Sequence, residues 1–179
     1  MAGRSYRLGR RQASVDRTAG SILAAARELV ASGSAASLGE IARRAGVSRI
    51  TVYNRFGSRA AVIQALAPHE DKPIELDGDP RELLRRRLAE ACSRWSTDPS
   101  LFRHLPPGVI PGSPAPNREL AERLAAADQL RAGCSIKEAE DVIGALTSFE
   151  VFDRLHRDGR RTAAAVGEIL WRLAGGILA

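Results

Sequence analysis

The stretch from Ser48 to Arg59 gathers side chains suited to nucleic acid. It reads Ser48-Arg49-Ile50-Thr51-Val52-Tyr53-Asn54-Arg55-Phe56-Gly57-Ser58-Arg59. If Val52 and Phe56 turn inward on a helix, Arg49, Ile50, Thr51, Tyr53, Asn54 and Arg55 are left to solvent or DNA. A helix in the major groove can offer Arg to guanine O6/N7, Asn to adenine, and an apolar group such as Ile50 to a thymine methyl. Ser48, Tyr53 and Arg59 suit phosphates, which position the helix without specifying sequence. The helix N-termini at Ser37, Ser48 and Ser58 add backbone donors and positive dipole ends.

Other chemistries find little footing. His69, His104 and His156 lie far apart, and neither they nor Cys92 and Cys134 show metal-ligand spacing or a CxxC pair. No metal or cofactor is expected. Nucleophile-elbow, phosphate-loop and dinucleotide fingerprints are missing, so an enzyme is not expected either. An enzyme with an incidental three-helix head would betray itself by keeping its catalysis after Arg49→Ala and Tyr53→Ala. No run reaches the roughly 18 charge-poor apolar residues that a membrane span needs. The nearest, 162–179, carries Glu168 and Arg172 four apart, as an amphipathic soluble helix does. Two cysteines and an Arg-rich start without an apolar core segment fit the cytoplasm.

The elements that must position the Ser48–Arg59 residues are legible around them. Ala42, Gly46 and Val52 have the spacing of a helix-turn-helix. A small residue sits where two helices cross, a glycine fits a left-handed turn, and an aliphatic anchor sits inside the second helix. Ile41, Val47 and Phe56 complete that core. Ser37-Leu38-Gly39-Glu40 has capping-box form. Ile22, Leu23, Ala26, Leu29 and Val30 mark a preceding helix stopped by Gly33, and Val62 and Leu66 a following one. Residues 18–67 are therefore read as a DNA-binding head. Residues 1–17, polar and Arg-rich, are read as a flexible basic arm that adds affinity and could reach an adjacent minor groove. Charge agrees with this division. Eleven arginines against Asp16, Glu28 and Glu40 give residues 1–67 a charge of +8, leaving −2 for the rest of a chain with net charge +6. A basic head on a mildly acidic body suggests a polyanion partner.

Hydrophobic residues make up 44% of the 179, and strong helix formers dominate, so the chain is read as all-α. A Pro-, Asp- and Gly-rich segment over 68–80 joins head to body, the body being 68–179. Helices are predicted over about 81–95, 100–105 and 119–130, with a Pro-rich loop over 106–116. One helix is predicted to start at Ser135, run through Val142, Leu146, Phe149, Phe152 and Leu155, and stop before Gly159. A last helix starts near Thr162.

The residues Ile22-Leu23-x-Ala25-Ala26-x-x-Leu29, Gly33, and Ile41-Ala42-x-x-Ala45-Gly46-Val47-Ser48-x-x-Thr51-Val52-Tyr53-x-x-Phe56-x-Ser58-Arg59 resemble the TetR family of bacterial transcriptional regulators. The resemblance covers about 50 residues of the head. It implies a fold of about nine helices, three of them forming the head. It implies a homodimer joined by a four-helix bundle of the last two helices of each copy, and an inducer pocket in the body. It places Arg49, Ile50 and Thr51 at bases, and Ser37, Ser48, Tyr53, Asn54 and Arg59 near phosphates. Arg59 departs from the usual Lys, which keeps the charge and changes the donor geometry. Asn54 departs from a larger aromatic or His.

Two constellations in the body follow as expectations. Trp95, Phe102, Leu105, Leu120, Leu124, Val142, Leu146 and Phe149 could line an effector pocket or form plain core. Ala145, Phe149, Phe152, Val166, Ile169, Leu170 and Leu173 would form a two-fold dimer face. The function expected is a repressor that binds a palindromic operator on double-stranded DNA as a homodimer and is released by a small molecule. The alternative is a DNA-binding regulator with no small-molecule ligand, which a body without a cavity would favour.

Overall fold

The structure, a computed structural model, describes residues 3–34, 36–67, 77–106, 109 and 114–179, with side chains in the first helix from residue 16 onward. The described residues form ten α-helices and no named strand: α1 (Gly3–Ala31), α2 (Leu38–Ala45), α3 (Arg49–Phe56), α4 (Arg59–Gln64), α5 (Pro80–Ser96), α6 (Pro99–His104), α7 (Pro114–Ala126), α8 (Ile136–Leu146), α9 (Phe149–Asp153) and α10 (Ala163–Ala174). The all-α expectation holds. The chain divides into two compact units: residues 1–69 with 100–111, and residues 70–99 with 112–179. The body was expected to be continuous from 68, but residues 100–111, with most of α6, cluster with the head. Of the joining segment expected over 68–80, residues 68–76 lie outside the described residues, as does His69.

In the first unit the apolar stripes read from the sequence become the core. Ile22, Ala25, Ala26 and Val30 of α1 are buried, as are Ile41 and Ala42 of α2, Val52 of α3, and Val62 and Ile63 of α4. α1 ends where Gly33 takes φ +75, its N–H donating to the Val30 carbonyl at 2.9 Å. A Cβ there would stand 3.3 Å from Nε2 of His104 on α6, so the position is constrained twice, by conformation and by this close approach. The flexible arm expected over 1–17 is a correction: from Gly3 onward this segment continues α1. Arg7, Leu8, Arg10, Arg11, Gln12 and Ala13 are good helix formers. They only extend a helix already nucleated by the packed turns over 22–30. The segment shows no apolar period in its sequence, and it therefore read as unstructured.

The second unit packs α5 against α10 and α7 against α8. Leu84, Leu88, Leu120, Leu124, Ile143, Phe152 and Leu170 are its largest fully buried side chains. α5 starts at Pro80, where the missing donor costs nothing, behind an Asp79 cap that accepts the Glu82 N–H. α7 starts at Pro114, inside the loop expected over 106–116; 107–108 and 110–113 lie outside the described residues. The single helix predicted from Ser135 to Gly159 is interrupted. α8 ends at Leu146, and Thr147 Oγ1 donates back to the Ile143 carbonyl at 2.8 Å. Ser148 Oγ then accepts the Val151 N–H and caps α9, which runs on as a π-helical turn over Arg154–Asp158. Thr and Ser compete with the helix for its own backbone groups, which explains the break. Within α8 Ile143 is buried, and the expected Val142 is only half-buried.

Candidate nucleic-acid interface

The geometry around Ser48 follows from three local devices. The first is the start of α2. Ser37 Oγ accepts the Glu40 N–H at 3.2 Å, and the Ser37 N–H donates to Glu40 Oε2 at 2.9 Å, a complete capping box. The Ser37 side chain and then its amide hold the Glu40 carboxyl below the usual carboxylate range. The second is the turn. Gly46 sits at φ +67 and ψ +29, and the Val47 N–H donates to the Ala42 carbonyl at 3.0 Å. This six-to-one closure needs a left-handed residue, which glycine adopts without a Cβ clash. The third is the start of α3. Ser48 Oγ accepts the Thr51 N–H at 3.0 Å, and the two hydroxyls lie 2.8 Å apart.

With its start fixed, α3 presents its faces as its period requires. Val52 is fully buried and Phe56 half-buried, while Ile50 is 71% and Tyr53 60% exposed. Arg49, Asn54 and Arg55 are exposed too, and Thr51 is half-buried. An isoleucine and a tyrosine left to water beside two arginines and an amide form a surface made for contact. Ser58 Oγ accepts the Ala61 N–H and caps α4, and the neighbouring Arg59 donates from Nε to the Ala36 carbonyl at 3.2 Å. Ala36 is a non-glycine residue at positive φ, just before the α2 cap. Arg59 therefore also ties the entry of α4 to the entry of α2, a structural use the sequence does not announce.

All eight residues expected at DNA lie in the first unit, on or beside α2, α3 and the start of α4. The caps and the turn that set where α2 and α3 begin are local, whereas Arg59 is held by a contact 23 residues away. Two further charged residues belong to the same surface. Arg55 is exposed on α3, and Asp16 of α1 stands beside it, 3.7 Å from Oδ1 to Nη2. Asp16 had no sequence signal, since its partner lies 39 residues on. Ser48→Ala is expected to cost about 1 kcal/mol of stability in the first unit by removing the α3 cap. Chemical denaturation monitored on the backbone amides of α3 checks this.

The body residues fare differently. Of the expected pocket set, Trp95, Leu120, Leu124, Leu146 and Phe149 are buried within the second unit. Trp95 Nε1 donates to the Thr147 carbonyl at 3.0 Å, and its ring meets Phe149 edge-on at 5.7 Å. Phe102 and Leu105 cluster with the first unit instead. A groove of about 400 Å³ does open in the second unit, between α5 and α10, lined by Arg85, Ala89, Cys92, Ser93, Ser96, Ala163, Ala164, Gly167 and Glu168. None of the expected pocket residues line it. Burial pushes the Cys92 thiol up to about 11, so its thiolate is scarce at neutral pH. The expected dimer face is likewise corrected in part. Phe149, Phe152, Val166 and Leu170 are buried inside a single chain and have no surface to offer a partner. Ala145 and Leu173 are exposed and Ile169 half-exposed. Among the described residues no helix is long and apolar enough to cross a membrane, and no group of His, Cys, Asp and Glu could hold a metal ion.

Residues 22–66 match the family model for bacterial regulatory proteins of the tetR family. Over 66 residues the chain is 41% identical to uncharacterized HTH-type transcriptional regulators of Mycobacterium tuberculosis and of Mycobacterium bovis. The match spans 35% of this chain and 35% of each relative, about a third of their length. Two crystal structures of NalD, the secondary repressor of the MexAB-OprM multidrug efflux pump in Pseudomonas aeruginosa, share the all-helical fold. They align at 24% identity with TM-scores of 0.67 and 0.68, covering 92% and 91% of this chain and 98% and 96% of theirs.

Proposed function

We propose that this chain, whose residues 22–66 match the model of bacterial regulatory proteins of the tetR family, is a ligand-responsive transcriptional repressor that acts in the cytoplasm. It binds a palindromic operator on double-stranded DNA as a homodimer. One observation carries the DNA reading: α3, capped by Ser48 and anchored by Val52, leaves Arg49, Ile50, Tyr53 and Asn54 exposed on a strongly basic unit. Two such helices, one per protomer, would enter successive major grooves about one turn apart. The partner copy would use the apolar residues the second unit leaves open near its last helices, among them Ala145, Ile169 and Leu173, the last 54% exposed.

Support for ligand response is the groove between α5 and α10, whose volume is within the usual range for small-molecule sites. For release, the ligand must bind the DNA-incompetent arrangement more tightly than the competent one.

The test is selection of bound sequences from random duplexes, followed by a screen for small molecules that free the protein from the selected operator. Arg49→Ala should cost about 1–3 kcal/mol on the preferred duplex and little on random DNA. Undiminished sequence preference in that variant would remove Arg49 from base reading. No duplex binding even at low salt would remove the DNA function.

A further inference from the structure

All three acids of residues 1–67 are engaged. Glu28 takes Arg44 of α2 at 2.7 Å, and Glu40 closes the α2 capping box. Asp16 meets Arg55, and this pairing is the unexpected one, because Arg55 stands on the helix read as entering DNA. On α3 Arg55 lies one turn after Thr51 and next to the inward ridge of Val52. It is therefore on the flank of the helix, where a side chain meets phosphates rather than base edges. The fold does not explain the pair. The side chains are 40% and 59% exposed, a setting in which an ion pair is worth little and is screened by salt. A phosphate, by contrast, can take a guanidinium through two parallel bonds. A carboxylate within ion-pair reach of Arg55 also stands close enough to repel any phosphate that Arg55 engages.

We propose that Asp16 restrains the recognition helix: its carboxylate competes with DNA phosphates for Arg55 and so lowers affinity for duplexes of every sequence. Asp16 is a positioning residue in this role, since it touches DNA only through Arg55. The proposal rests on the DNA-binding reading above. Binding proceeds by exchange, with Arg55 leaving Asp16 for a phosphate.

The experiment measures the affinity of the full chain for a random-sequence duplex and for the selected operator over a range of salt. Asp16→Asn should bind both about 3- to 10-fold more tightly. Its dependence of log affinity on log salt should change by at most about one ion, since the number of phosphates engaged changes by no more than the one Arg55 meets. The ratio between the two duplexes should stay constant. Asp16→Glu should behave as the unaltered protein. In an Arg55→Gln background, Asp16→Asn should gain nothing. Unchanged or weaker binding by Asp16→Asn, or an equal gain in the Arg55→Gln background, would overturn the restraint while leaving DNA binding intact. If the unaltered protein binds no duplex at low salt, the DNA reading falls and the restraint with it.

Discussion

Val52→Asp should unfold the first unit and abolish duplex binding, while Tyr53→Ala, one residue along, should leave the fold intact and weaken binding only. The two side chains sit about 100° apart on α3, and one is fully buried while the other is 60% exposed. Asp at 52 would place a carboxylate in the apolar core that the Val52 side chain fills. An unpaired buried charge costs several kcal/mol, against a total stability of about 5–15 kcal/mol for a typical domain. At 53 the ring is largely exposed, and on the DNA-binding proposal its loss would remove one phosphate hydrogen bond, worth about 1 kcal/mol. Both tryptophans, Trp95 and Trp171, belong to the second unit. Val52→Asp should therefore lower helicity and expose the amides of α2–α4 to exchange with little change in tryptophan fluorescence. Retained duplex binding by Val52→Asp would show that α3 faces the other way.

The second large effect is expected at Phe152. Its side chain is fully buried, with the ring stacked on His156 at 5.0 Å and near Phe149 at 6.5 Å. Phe152→Ala should cost the second unit about 3–5 kcal/mol, the transfer free energy of the ring plus that of the cavity left behind. Denaturation followed by tryptophan fluorescence measures this unit directly. The decrement should be the same at low and high protein concentration. Were Phe152 a contact between two copies, as its apolar neighbours in the sequence suggest, the variant would associate more weakly and unfold within each chain much as before.

That contrast marks where the sequence stops being readable. Caps and turns are short-range, so Ser37, Gly46, Ser48 and Val52 announce themselves through the types and spacing of their neighbours. The first two of these also explain why the interface could be drawn from the sequence at all: a box and a left-handed glycine fix where α2 and α3 begin. In the body the same apolar period fits a core and a partner face equally well, and only burial distinguishes Phe152 from Leu173. Thr147 and Ser148 look like ordinary helical positions until their hydroxyls are seen bonding back to the chain. Arg59 and Asp16 were opaque for a different reason. Their partners, Ala36 and Arg55, lie 23 and 39 residues away, and no local pattern encodes such a meeting. His104 beside Gly33 is a third example, with α6 and the end of α1 brought together across 71 positions.

Because α1 stays coiled from Gly3 through Ala31, the part before Arg17 is a rod roughly 20 Å long and 10–12 Å thick. The narrower furrow of B-form DNA is only about 6 Å across. A slim extended tail can thread that slot, whereas a rod of this girth is shut out unless it first uncoils. On the DNA-binding proposal, the charge of Arg4, Arg7, Arg10 and Arg11 would act as a long-range field that hastens encounter and fades with ionic strength, and not as a reader of base edges.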